Sequence, residues 1–365
     1  MKKVLYVGLS CFSQTGGIEK VNRAWLKVLD NLHIDNKIKV KANVLLDKSA
    51  NEKYIATNRF EGFKGKKLLF TIKSISQALK KDILVLSHIN LAVISVIAKW
   101  LKPSLKVIIH AHGIEVWRPL SSIQKKTLAD ANVILAVSRF TKQQLIEKHK
   151  VESRKIIVFP NCLDPFFPKV ELNSKPQYLK ERYQLRDQPV LFTLARLSSS
   201  EQYKGYDKVI EILPALLEKH PDLHYLIGGK ADEAEKERIE KLIKETGVQK
   251  HVTLTGFVTD EELSDHYQLA DAFVMPSEGE GFGISFIEAG ACGTPSLAGN
   301  RDGSADAVIE NQTGMLCDNR DPKSIEEITS KLLSRQLNPV DIQAAIFEKY
   351  GFEQYREKIS DLLVA

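Results

Sequence analysis

The segment SEGEGFGISFIEAGACGTP, residues 277–295, sets Glu280 and Glu288 around a glycine-rich turn that runs into a helical pattern. Gly279, Gly281 and Gly283 permit a sharp turn, and Ile284 to Cys292 reads as a helix. Glu280 therefore lies in the loop and Glu288 about one turn inside the helix. The backbone N–H groups of Phe282, Gly283 and Ile284 then point out of a helix N-terminus, where an anion or sugar hydroxyls are favourable partners. Carboxylates accept hydrogen bonds from vicinal diols, so two at this separation can grip two sugars of one ligand. A paired general acid and base, as in glycoside hydrolysis, fits the same spacing. Glu278 reads as a solvated neighbour.

Three other segments carry chemistry. In LARLSSSEQYKGYDKVI, residues 194–210, Arg196 ends a strand and Lys204 precedes the next helix, so the two cations converge beyond one sheet edge. Holding them together is costly unless an anion lies between, and a diphosphate is the natural one; two solvated surface cations are the alternative. In SQTGGIEK, Gly16 and Gly17 open a helix near Ile18, which suits a phosphate, although paired glycines are also ordinary turn chemistry. The segment lacks GxGxxG, which argues against a dinucleotide. In HAHGIEVW, residues 110–117, His112 stands where it can bond a substrate hydroxyl or a developing charge. A metal at His-x-His lacks further ligands nearby in sequence, and His110 reads as a satisfied core histidine.

The elements that must position these residues are βα units. Short β-rich runs alternate with helical patterns, the signature of parallel sheets. Strands are expected at 4–9, 41–46, 83–87, 106–111, 133–137 and 155–159, then at 189–194, 223–229, 251–256, 272–276, 294–299 and 315–318. Between the two sets, PNCLDPFFPKVELNSKP reads as a proline-rich linker near 160–176. In open parallel sheets ligands bind beyond the carboxyl ends of the strands, where all these motifs fall.

The 365 residues suffice for two domains. Apolar runs such as LAVISVIA fall short of the roughly 18 to 20 residues that span a bilayer. MKKVLYVGLS reads as a first strand rather than a signal peptide, and four scattered cysteines suit a reduced, cytoplasmic protein. Charge is segregated. Residues 1–165 hold 29 Lys and Arg against 12 Asp and Glu, while the remainder holds 23 against 34. A basic half can meet nucleic acid or an anionic membrane, or simply keep the protein soluble.

Taken together, TGGIEKV, HAHGIE, AVSRFTKQQL, FPNCLD, LARL with YKGYDKVI, VTLTGFV, YQLADAFVMPSEGEGFGISFIEAGACGTP and TGMLCD resemble the retaining glycosyltransferases of family 4, the glycosyl transferases group 1 set. Glu280 and Glu288, with seven residues between, match that family's Glu-x7-Glu signature. The resemblance implies an α/β chain of GT-B architecture, two Rossmann-like domains facing a cleft. It places an acceptor-binding domain at 1–165 and a nucleotide-sugar-binding domain at 166–350, with a last helix, about 351–365, crossing back to the first. By the same resemblance Arg196 and Lys204 meet the donor diphosphate, Glu288 the ribose and Glu280 the donor sugar. Phe282, Gly283 and Ile284 offer their backbone to sugar and phosphates. Gly17 lies near the phosphate, His112 near the donor sugar, and Phe257 and Val258 where the base is held.

The implied reaction moves a sugar from a nucleotide donor, UDP-linked, to a glycan or lipid-linked acceptor of envelope or exopolysaccharide synthesis. It proceeds by front-face substitution with Glu280, His112, Arg196 and Lys204 as catalytic groups, and without a metal, since no Asp-x-Asp occurs. No cofactor is implied beyond the nucleotide-sugar co-substrate. The basic half would hold the acceptor domain to anionic lipid at the inner face of the membrane. Two departures stand out: PNC at 160–162 for PNG, and NRDGSADAV at 300–308, where Asp306 replaces a glutamate. A nucleotide-sugar epimerase of the same architecture is the rival enzyme, and a nucleic-acid-binding protein the rival non-enzyme. The latter calls for stacking aromatics among the lysines, and KGKKLLF has one.

Overall fold

The computed structural model describes residues 1–364 other than 173 and 336. Residue 173 of the expected linker and residue 365 of the expected last helix lie outside them. The chain divides into two compact units. One holds Met1–Phe167 with the C-terminal residues from Tyr350 onward, the other Pro168–Lys349.

The first unit is built on a seven-stranded parallel sheet. Its strands are β1 (Lys2–Gly8), β2 (Ile38–Val44), β3 (Phe60–Gly62), β4 (Ile83–Leu86), β5 (Lys106–Ala111), β6 (Val133–Ala136) and β7 (Ile156–Val158), in the order β3-β2-β1-β4-β5-β6-β7. Apolar runs such as ILVL, buried along their whole length, are what a sheet covered on both faces requires. Of the helices, α1 (Gly17–Ile34) buries Val21, Ala24, Trp25, Val28, Leu29 and Leu32, a 3.6-residue periodicity. α2 (Lys67–Ala78) and α3 (Ala92–Leu101) pack side by side. β3 has no counterpart in the sequence expectation. Three residues paired only to β2 are too short to show alternation. β2 starts at Ile38, three residues before its expected start, because IKVK alternates inward and outward.

The last helix, Phe352–Val364, belongs to this first unit. Tyr355 packs its ring 4.9 Å from Phe159 and edge-on to Trp25, while Arg356 donates to Asp35 at 2.8 Å and Lys106 to the Leu362 carbonyl at 3.1 Å.

The second unit carries a six-stranded parallel sheet of β8 (Val190–Leu194), β9 (His224–Gly228), β10 (Val252–Gly256), β11 (Ala272–Met275), β12 (Ser296–Gly299) and β13 (Gly314–Cys317). The order is β10-β9-β8-β11-β12-β13. In each unit the connections run outward in opposite directions from one point, β1/β4 in the first and β8/β11 in the second. There neighbouring strand-end loops part and leave room for a ligand.

Tyr355→Ala removes a ring that is 3 % exposed. It should lower the unfolding free energy of the first unit by about 3–5 kcal/mol. Urea titration followed by tryptophan fluorescence reads that unit alone, because Trp25, Trp100 and Trp117 all lie in it.

Candidate active site

In the second unit the expected residues gather at the carboxyl edge of the sheet, around the β8/β11 parting. After β8 the chain passes Arg196, makes a short turn at Gln202–Lys204 and enters the helix Tyr206–Lys219 through Gly205. Gly205 has φ +78°, and a Cβ there would lie 2.5 Å from the Pro276 carbonyl, so only glycine lets this turn cross the end of β11. That crossing delivers Lys204 to Glu280. The two form an ion pair, each side chain 14 % exposed, with the ammonium 5.2 Å from the Tyr203 ring centroid. Burial pulls the Lys204 ammonium down, but the Glu280 charge and the hydrogen bond between them outweigh it and hold the ammonium above the ordinary lysine range.

The loop bearing Glu280 is fixed from below. Asp302, after β12, is buried and accepts hydrogen bonds from the Ser277 hydroxyl at 2.8 Å, the Glu280 amide at 2.7 Å and the Ser304 amide at 2.9 Å. Burial pushes its carboxyl up to about 6 against the pull of those donors. The Gly303 amide returns a bond to the Glu280 carbonyl at 2.8 Å. The sequence treated this stretch only as a departure. The available signal was Asp before Gly-Ser, the pattern of an aspartate that closes a turn on the amide two residues on.

Past Glu280 the chain enters the helix Ile284–Ala291 through Gly283 at φ +83°, an N-cap that offers no side-chain bond to the first amides. Phe282 and Ile284 bury their side chains. Glu288, on the second turn, is 2 % exposed and accepts from the Tyr267 hydroxyl at 3.2 Å. After β10, Phe257 is exposed and Val258 buried.

Two expectations need correction. Arg196 and Lys204 are not left to share one anion. Arg196 is 62 % exposed and pairs with Glu201 at 2.8 Å, five residues along its own loop, while Lys204 has Glu280, so each cation has its own carboxylate. Glu278 is exposed, as a solvated neighbour is expected to be, and pairs with Lys208 and, at 3.8 Å, with Arg320. His110 is in the core, but neither ring nitrogen has a hydrogen-bond partner among the described residues. Trp25, Phe159 and His112 surround it, and none of them bonds to its nitrogens.

In the first unit, Gly17 opens α1 behind Gly16, which offers no side-chain cap. The loop before it wraps the buried carboxylate of Asp47, which accepts from the amides of Cys11 at 2.9 Å and Ser13 at 2.8 Å. Asp47 is a second positioning residue that the sequence did not disclose. His112 follows β5 with its Nε2 2.7 Å from the Ser87 carbonyl at the end of β4. A carbonyl only accepts, so Nε2 carries the proton and Nδ1 keeps its lone pair. Burial pushes both His88 and His112 down to about 4, so both rings are neutral at pH 7.

Comparison with known proteins gives the family and the fold. Residues 47–166 match the family described as Glycosyltransferase Family 4, and 177–354 the one described as Glycosyl transferases group 1. The chain belongs to the family 4 glycosyltransferases. A GDP-mannose-dependent alpha-(1-6)-phosphatidylinositol monomannoside mannosyltransferase of Mycolicibacterium smegmatis is 30 % identical over 63 % of this chain and 61 % of its own length. One of the same description from Mycobacterium tuberculosis is 29 % identical over 71 % and 69 %. The fold is that of GT-B glycosyltransferases. The Anabaena HepE structure with UDP and glucose superposes with a TM-score of 0.78 at 18 % identity, covering 100 % of this chain and 99 % of that one.

For this family 4 chain the buried histidines set a pH dependence. An unfolded chain protonates them near 6.5, whereas His88 and His112 resist until about 4. Their contribution to stability is therefore complete above the unfolded value and is lost as pH falls through that window. Burial holds the His110 ring neutral as well, so the stability of the first unit, read by urea titration, should drop between pH ~6.5 and ~4 with a slope of about three protons. A flat profile would show that these rings are already solvated in the folded protein.

Proposed function

We propose that this chain is a hexosyltransferase that moves a sugar from a nucleoside diphosphate donor to a hydroxyl of a glycan or lipid-linked acceptor, with retention at the anomeric carbon. The observation that carries the reading is the Lys204–Glu280 pair at the β8/β11 parting, beside the helix start at Gly283. A donor diphosphate would replace Glu280 as the counter-ion of Lys204 and release the carboxylate for the sugar's hydroxyls. Arg196 is exposed and within reach of a similar exchange with Glu201. Glu288 serves the ribose, Phe257 and Val258 the base, and Gly17 the phosphate.

In the second unit Pro168–Lys349 binds the donor, and the first unit the acceptor. The leaving diphosphate takes the acceptor proton in a front-face step. Charge on it is met by Lys204, Arg196 and the N-terminal amides at Gly283, preorganised groups of a kind worth several kcal/mol. His112, neutral with Nδ1 unprotonated, accepts a hydrogen bond from a hydroxyl of the donor sugar. No metal or further cofactor enters this reading. The resemblance suggested UDP, but the mycobacterial relatives, the more similar in sequence, are described as GDP-mannose-dependent, which favours GDP-mannose. The phosphatidylinositol monomannoside in their description favours a lipid-linked acceptor held in a membrane, and envelope synthesis at the cytoplasmic face is part of our proposal.

A thermal-shift series with GDP, UDP and ADP, then their sugars, tests this. A nucleotide at 100 times its dissociation constant stabilises the fold by about 2.7 kcal/mol. GDP is expected to give the largest shift, and a larger one with UDP restores the uridine donor. Lys204→Ala should abolish the shift and reduce kcat by about 10²–10³. No shift with any nucleotide overturns the donor site, and donor turnover without an acceptor points to an epimerase.

A further inference from the structure

Elsewhere on the first unit, α2 and α3 present a surface that the reaction does not use. α2 buries Phe70, Ser74 and Ala78, a stripe one residue wide per turn, and turns Leu68, Leu69 and Ile72 outward at 75 %, 52 % and 58 % exposure. On the adjoining α3 the outward positions are Ile97, Trp100 and Leu101, with Trp100 at 78 %. On each helix they stand at helical spacing, so each carries an outward apolar stripe rather than scattered surface residues. Apolar groups this large and grouped on a soluble unit mark an interaction surface.

Charge selects the partner. Between residues 64 and 106 there are nine lysines and one acid, Asp82. Lys64, Lys66 and Lys67 lead into α2, and Lys80 and Lys81 follow it. Asp82 is already engaged, accepting from the Lys3 amide at 2.7 Å. A second copy of this chain would oppose lysines to lysines. Nucleic acid would meet aliphatic side chains where stacking needs rings. An anionic bilayer accepts both features, because aliphatic groups and a tryptophan sink to the headgroup boundary while lysines meet the phosphates.

We infer that α2 and α3 form the docking face of this enzyme for an anionic lipid bilayer, with Leu68, Ile72 and Trp100 entering the headgroup region and the flanking lysines holding it there. The inference deepens the proposed membrane-held acceptor and rests on that reading only for its choice of a lipid partner. No helix among the described residues is long and apolar enough to cross a membrane, so attachment is peripheral and reversible.

The test is co-sedimentation of the full chain with phosphatidylcholine vesicles, with and without phosphatidylglycerol, at low and high salt. Binding should require phosphatidylglycerol and weaken with salt. Each lysine neutralised in the series Lys66→Gln, Lys67→Gln and Lys80→Gln should lower partitioning by about 5-fold. Ile72→Ser with Trp100→Ser should lower it at least 10-fold with all charges kept. Fluorescence should shift to the blue on binding, and Trp100→Phe should remove the shift while binding persists. No sedimentation at low salt, or binding indifferent to Ile72 and Trp100, overturns the face. So does a dimer in solution that Trp100→Ser dissolves, which would give the stripe to a second copy. The nucleotide-induced thermal shift of each variant, measured without vesicles, separates the two readings: if it persists, the variant is folded and the donor site stands whatever the vesicles show.

Discussion

Two opposite charges cannot be held at 14 % exposure unless each answers the other, and this constraint organises the second unit's strand-end loops around Lys204 and Glu280. The lysine arrives from β8 and the glutamate from β11, strands that are neighbours in the sheet yet 76 residues apart for the paired side chains. Bringing them together forces the rest. Gly205 must be left-handed to cross Pro276, and Gly279 must be bare because a Cβ would lie 2.9 Å from the Tyr203 ring. Asp302 must be buried to fix the Glu280 amide. The glycines that looked like turn chemistry in SEGEGFG are there because loops from two strands approach backbone to side chain.

Both units solve one further problem alike. A loop that turns away from the end of a parallel strand leaves amides with no ladder partner, and these must be satisfied. In the first unit Asp47 collects those of Cys11 and Ser13; in the second Asp302 collects those of Glu280 and Ser304. Asp47 serves amides of another strand-end loop, and Asp302 one amide of another loop and one of its own, so each pins one loop to another. Truncating either one would strand several buried donors at once, which costs more than the loss of one bond.

This explains what was legible in the sequence. Strand runs such as KVIIHA, whose expected and observed limits coincide, are read directly because burial on both faces writes itself as a continuous apolar run. The same holds for the glycine-led helix starts at Gly17 and Gly283. β3 was not legible, since three edge residues carry no period. Nor were Asp47 and Asp302, whose roles depend on amides 34 and 22 residues away. The pairing of Lys204 with Glu280 failed for the same reason. The sequence grouped Lys204 with Arg196 because both follow β8, but charge is balanced between loops as well as along them.

The histidine of the first unit shows how one hydrogen bond divides the chemistry. A ring free to exchange protons could serve as a cation or as a base. His112 is denied the first role by burial, which keeps it neutral down to about pH 4, and the Ser87 carbonyl fixes its proton on Nε2. What remains is a single acceptor at Nδ1, suited to orienting a hydroxyl and unsuited to stabilising a developing negative charge. In the proposed transfer, the charge on the leaving diphosphate must then be met by groups of the second unit, where Lys204 is kept protonated by Glu280. The counter-ion that makes a buried lysine tolerable before the ligand arrives is thus the same group that keeps it cationic for the reaction.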